Sequence, residues 1–90
     1  MKRNIHRSDK LQIEIVKGLR DVGAKVAITS RMGEGFPDIL VKFRGVLHLM
    51  EIKSKGGKLT QDEVNFFSDW CDVTTIVYSL DDALRIIGAI

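Results

Sequence analysis

The chain is short of several things. It has one cysteine, Cys71, one proline, Pro37, and two histidines in ninety residues. A single cysteine excludes an internal disulfide and suits a reducing compartment, so a cytoplasmic protein is expected. One thiol and two scattered imidazoles leave no basis for a structural zinc site. No apolar run approaches the length of a membrane span, and no apolar signal core follows the basic start. Internal repeats, linkers and low-complexity segments are also missing. Ninety residues give no room for a second core, which predicts one domain over 1–90.

What is present is an ordinary globular composition, 44% apolar and 29% charged. The net charge of +2 is mild, but it is unevenly spread. Residues 1–60 hold 13 of the 14 Lys and Arg and half of the 12 acids, for a net +7. Residues 61–90 carry −5, with Arg85 as their one cation. Such asymmetry points to one face for a polyanion and another left solvated. A lopsided charge is also common in small proteins, so it is a footprint and no more.

The periodicities predict seven elements. Met1 to Arg7 is polar and basic, an arm. Ser8-Asp9 is placed to cap a helix over 9–22, with Leu11, Ile15, Leu19 and Val22 on one face and Ile13 and Val16 widening it. Gly23 is the residue for its C-terminal stop. Residues 25–29 form a short strand, followed by a loop over 30–35. Pro37 cannot donate to a ladder, which puts it at the start of a second strand continuing to Phe43. Arg44-Gly45 is a tight turn. Residues 46–53 are a third strand, apolar on both faces apart from His48, as in a central strand. Thr60-Gln-Asp-Glu63 is a capping box that opens a second helix, with Val64, Phe67 and Cys71 as its inward stripe and Phe66 and Trp70 beside it. Residues 74–78 are β-rich. Ser79 caps a last helix in which Leu80, Leu84 and Ile87 share a face. The order is α-β-β-β-α-β-α, an α/β sheet flanked by helices.

The chemistry concentrates in Gly35 to Thr60. Asp38 heads the second strand, and Glu51 and Lys53 end the third. Side chains two apart on a strand share a face on the order of 7 Å from one another. A hairpin would bring Asp38 beside Glu51. Charges of this kind are costly to bury unless they are paired or bind a metal. Carboxylates are hard donors for a divalent cation, which can activate water at a phosphodiester. A nearby lysine can stabilise the charge that develops at phosphorus. The plainer alternative is a surface ion pair at strand tips. Lys55 and Lys58 flank Gly56-Gly57 ahead of a helix N-terminus, which suits phosphate contact. This is not a P-loop, because Leu59 follows the lysine and no glycine stands at position 52. Arg31 is a further candidate DNA contact. His48, Cys71, Phe66 and Trp70 read as core or interface residues.

Gly35-x-Pro37-Asp38, Glu51-x-Lys53 and Gly57-Lys58-Leu59-Thr60 resemble the VRR-NUC branch of the PD-(D/E)XK nucleases, in particular its small stand-alone versions in phages and bacteria. The resemblance extends over nearly the whole chain, since the element order also suits that restriction-endonuclease-like core with its mixed central sheet. It implies a Mg²⁺- or Mn²⁺-dependent DNA endonuclease acting on branched or structured DNA such as junctions or flaps, as a homodimer, with no membrane and no small-molecule cofactor. Asp38, Glu51 and the Ile52 main-chain carbonyl would hold the metal, and Lys53 would be the catalytic lysine. Arg31, Lys55, Gly57, Lys58 and Thr60 would meet DNA. Two departures stand out. Glu63 occupies the place of the family's usual glutamine, as an added acid or as the capping-box partner of Thr60. The family's first-helix glutamate falls at Gln12, and Glu14 is turned about 200° away from it. Asp9 lies one turn earlier. An archaeal-type Holliday-junction resolvase shares Pro-Asp and Glu-x-Lys but not the Gly-Lys-Leu-Thr box. A non-catalytic DNA-binding module that keeps the fold would suit the altered acids.

Overall fold

A computed structural model describes residues 7–90, so positions 1–6 of the expected arm lie outside the described residues, and Arg7 belongs to the first helix. The elements are α1 (Arg7–Asp21), β1 (Lys25–Ile28), β2 (Ile39–Phe43), β3 (Val46–Ile52), α2 (Gln61–Asp69), β4 (Thr74–Val77) and α3 (Leu80–Ile87). Type and order match the reading of the sequence. Helix α1 already runs through Ser8, so Ser8-Asp9 is not its cap.

Local chemistry explains most boundaries. After α1, the Gly23 N–H donates to the Arg20 carbonyl and the Ala24 N–H to the Leu19 carbonyl, with Gly23 left-handed at φ 93°. This is a Schellman stop, which favours glycine because a Cβ is strained there. Arg44 and Gly45 have φ 51° and 81°, the doubly positive turn that matches the twist of a hairpin. The capping box is complete: the Glu63 N–H donates to Thr60 Oγ1 and the Thr60 N–H to Glu63 Oε1. At α3 the Ser79 hydroxyl oxygen accepts from the Asp82 N–H.

The sheet runs β1-β2-β3-β4. The first two pairings are antiparallel, and β3 meets β4 in parallel. A parallel neighbour needs a crossover, which α2 supplies. One face of the sheet, with Ile39, Val41, Met50, Ile52 and Val77, packs against Ile15, Val16 and Leu19 of α1 and Ala83 and Ile87 of α3. Gly18 lets the two helices meet: a Cβ there would run into the Leu80 side chain. His48 is half-buried on this face opposite Val41, where burial lowers its pKa.

Four expected core positions are not in the core. Ile13 is 62% exposed, although Val16 beside it is buried. Val22 is exposed because α1 ends at Asp21 and the chain turns away. Helix α2 buries none of its residues fully, Val64 is exposed, and Cys71 lies exposed past its end. Its inward side consists of Glu63, Phe66 and Phe67. Phe66 meets Phe36 edge-on at 5.0 Å and stacks on Trp70 at 5.6 Å. The start of α2 decides that rotation, because the Gly35 backbone abuts the backbone of Asp62.

Candidate metal and nucleic-acid site

The end of β3 opens into a cleft of about 790 Å³. Its floor is Asp38, Glu51, Ile52 and Lys53. Asp9, Gln12 and Ile13 of α1 form one wall, and Ile28, Ser30 and Arg31 form a second. Ser54, Gly57, Lys58 and Glu63 close the remaining side.

Asp38 is pinned from several directions. Pro37 before it is fully buried. The Thr29 hydroxyl donates to the Pro37 carbonyl at 2.7 Å, and the Thr29 N–H donates to the Asp38 carbonyl at 2.8 Å. The antiparallel ladder stops at Ile39 and Met50. The Ile52 N–H, beyond the ladder, donates to Asp38 Oδ2 at 2.8 Å. A carboxylate thus takes the place of a strand at that point.

Glu51 alternates to the sheet face opposite Met50 and Ile52. It is 5% exposed, and its carboxyl is within hydrogen-bonding reach of Asp38. Burial pushes its pKa up to about 9, helped by the hydrogen bond and charge of Asp38 and the charge of Glu63, and only partly opposed by Lys53. The Lys53 ammonium is 2.9 Å from Glu63 Oε1 and 3.9 Å from Glu51 Oε2. Burial lowers its pKa, but Glu63 foremost, then Glu51 and Asp38, outweigh that and hold it above the usual lysine value. Burial would raise Glu63, yet Lys53 and the Thr60 N–H hold it below the usual range. Lysine and Glu63 therefore form a charged pair, while Glu51 keeps its proton at neutral pH.

Two carboxyl groups close enough to share a proton, at the floor of an open cleft, are a donor set for a hard cation. A bound cation would take the place of the proton and offset the burial and the neighbouring carboxylate charge that raise Glu51. Asp38 and Glu51 fit Mg²⁺ or Mn²⁺ by oxygen chemistry. Among the described residues no group of three or more His, Cys, Asp or Glu is arranged to hold a metal. Further ligands would have to be main-chain oxygens, water or a substrate phosphate.

The remaining candidates divide. Gln12, Arg31, Gly57 and Lys58 line the cleft, and Glu14 and Lys55 do not. Glu14 is exposed on the far side of α1 from Gln12. The Gly57 N–H donates to the Ser54 carbonyl at 2.8 Å and the Thr60 N–H to Glu63, while the Thr60 hydroxyl accepts from the Glu63 N–H and keeps its own O–H for a further acceptor. Thr29 escaped the sequence reading, because its two hydrogen bonds reach a segment eight and nine residues away. Its β-branched hydroxyl at the last position of a strand run was the one available sign.

No protein-family model matches the sequence, and no curated protein matches it. A solved structure described as a VRR_NUC domain superposes with a TM-score of 0.77 at 22% identity, covering 93% of this chain and 99% of that one. The chain has the fold of that VRR_NUC domain, over nearly the full length of both.

Proposed function

We propose that the chain is a Mg²⁺- or Mn²⁺-dependent DNA endonuclease. The carrying observation is the Asp38–Glu51 pair, with Glu51 pushed up to about 9 and Lys53 beside it. Asp38, Glu51 and the Ile52 carbonyl hold the cation in this reading. When bound, the cation supplies charge neutralisation at phosphorus and a water of lowered pKa. Lys53 remains protonated and stabilises charge on the phosphoryl oxygens. Thr29 keeps Asp38 facing the cleft through the Pro37 and Asp38 carbonyls. Arg31 and Lys58 meet the backbone of DNA from opposite sides of the cleft, and Lys55 adds charge outside it. Glu63 serves as the partner of Lys53. Gln12 offers an amide where an acid would add a ligand.

Branched or structured DNA is the proposed substrate, and a homodimer the proposed assembly. Val64, Trp70 and Val73 are 44, 51 and 36% exposed around α2, and Leu47 is 55% exposed. Apolar groups of this size left open around one element suit burial against a second copy. Among the described residues no helix is long and apolar enough to cross a membrane.

A second reading, a DNA-binding module without catalysis, is favoured because no third acid among the described residues is arranged for metal. Labelled single-stranded, duplex, flap and four-way-junction DNA separates the two, in Mg²⁺, Mn²⁺ or EDTA, beside Lys53→Ala. Metal-dependent cutting lost in the variant is the expected result. Binding without cutting on every substrate would replace the nuclease with the module.

A further inference from the structure

The sheet face turned away from α1 and α3 carries two lysines side by side. Along β3, Leu47, Leu49 and Glu51 alternate onto this face, away from Met50 and Ile52 in the core. Lys42 of β2 stands opposite Leu47, and Lys25 of β1 stands opposite Lys42, so both lysines share the face of Glu51. Directly opposed residues on antiparallel strands have Cα atoms on the order of 5 Å apart. Both lysine side chains are exposed. On these two strands Ala27 and Leu40, opposite one another, separate the lysines from the cleft, and neither carries charge.

Like charges placed directly opposite one another destabilise a sheet. Among the described residues the ion-paired cations are Lys17, Lys53 and Arg85, so Lys25 and Lys42 repel each other with no acid to relieve them. A lysine on an edge strand discourages further strand pairing, and that accounts for Lys25. It does not account for Lys42, whose strand has β1 on one side and β3 on the other. Two unpaired ammonium groups on an acid-free patch are a seat for one phosphate, held as point charges and without selection by base. The spacing supplies the rest. Leu47, level with the lysines, and Glu51 are four residues apart on β3, about 13 Å at 3.3 Å per residue. A duplex rises about 3.4 Å per base pair, so this span covers about four base pairs.

We propose that Lys25 and Lys42 together hold one backbone phosphate of a duplex arm, about four base pairs from the phosphate that meets Asp38 and Glu51. The proposal rests on the nuclease reading and adds to it a second anchor, remote from the cleft, that sets where along the arm the cut falls. A duplex is stiff over so short a length, so it turns two fixed anchors into a fixed distance. The pair therefore measures position and not sequence.

The test uses the full chain as wild type, as the Lys25→Gln, Lys42→Gln double variant and as the Lys25→Arg, Lys42→Arg double variant. A labelled DNA hairpin, its stem about three times the proposed span, is titrated in EDTA and followed by fluorescence anisotropy. One neutralised phosphate adds about 0.9 to the slope of log affinity against log salt. Between 50 and 200 mM salt, wild type should therefore lose about 3.5-fold more affinity than the glutamine variant, and the arginine variant should follow wild type. Equal slopes in wild type and the glutamine variant overturn the proposal, and so does an arginine variant that behaves like glutamine. Cleavage with Mn²⁺ then reads the distance. Single uncharged methylphosphonates are placed at successive positions from the mapped cut. One about four base pairs away should slow wild type and leave the glutamine variant unaffected, and equal sensitivity of the two proteins at every position overturns the anchor. If wild type cuts nothing, the nuclease reading fails separately, and the salt slopes still decide the lysine pair.

Discussion

Replacing Glu51 by glutamine should make the metal-free protein more stable while it removes the metal site. The Glu51 pKa is raised from 4.5 to about 9. A raised carboxyl gives its full stabilisation below the unfolded pKa and loses it as pH climbs to the folded one. Between pH 4.5 and 7 the loss amounts to about 3.4 kcal/mol at 1.36 kcal/mol per unit. The high effective dielectric felt even by buried groups reduces this to about 2 kcal/mol. Glutamine has no charge to desolvate, and its amide N–H donates to Asp38 as the protonated carboxyl does. In EDTA at pH 7, Glu51→Gln should therefore gain about 2 kcal/mol, roughly 8–16 °C in Tm for a domain of this size. Melts at pH 5, 6, 7 and 8 check the sign. Wild type should lose stability steadily over that range, and the variant should stay flat. Adding Mn²⁺ should raise the Tm of wild type and leave the variant unchanged. Parallel slopes, or a variant less stable than wild type at pH 8, would refute the account of Glu51.

Gly35→Ala should cost about 3 kcal/mol or more, read from urea melts, because φ 76° is strained for alanine and its Cβ would run into the Asp62 backbone. Thr60→Ala should cost about 1 kcal/mol through loss of the cap while leaving the Glu63–Lys53 pair able to form. Glu63→Gln should keep the cap and leave Tm nearly unchanged. Glu63 is the foremost group raising the Lys53 pKa, so this variant should move the alkaline limb of the cleavage profile to lower pH. An unmoved limb would remove Glu63 as the partner that matters to Lys53. Trp70→Ser should lower the association state seen by analytical ultracentrifugation without loss of helix content by circular dichroism.

Local signals were legible in the sequence, and signals set by distant contacts were not. The Gly23 stop, the Arg44-Gly45 turn and both side-chain caps on α2 and α3 depend on a few neighbouring residues. Each is therefore written in its own short stretch. The mixed sheet follows from the same order of elements, since a hairpin and a crossover admit few arrangements. Helix α2 is the counterexample. Its apolar spacing pointed Val64, Phe67 and Cys71 inward; Phe67 does face inward, but Val64 and Cys71 are exposed, because Gly35 and Lys53 set its rotation from outside. Ile13 misled for a related reason: it continues the apolar stripe of α1 but lies past the edge of the sheet. Within the site, Asp38, Glu51 and Lys53 were legible as a pattern. Thr29 was not, because nothing local marks a hydroxyl whose partner lies across a loop.

Glu63 shows why the altered pattern need not be read as either a cap or a site acid. One oxygen, Oε1, accepts from the Thr60 N–H at 2.8 Å and meets the Lys53 ammonium at 2.9 Å. The cap fixes where the first turn of α2 begins, and the ion pair fixes where the ammonium sits. Sharing an oxygen makes these one constraint. A glutamine could keep the cap through its amide oxygen but would hold the ammonium with a dipole instead of a charge. Glutamate therefore ties Lys53 to α2 more firmly and also adds a charge that helps keep the Glu51 proton in place. A cation binding at Asp38 and Glu51 releases that proton, so metal affinity should rise with pH. The steepest rise belongs below about 9, where Glu51 still carries its proton. Titrating Mn²⁺ calorimetrically in two buffers of different ionisation enthalpy measures the released proton directly. A value near one at pH 7 follows from this arrangement, and a value near zero would mean that Glu51 is already ionised before the metal arrives.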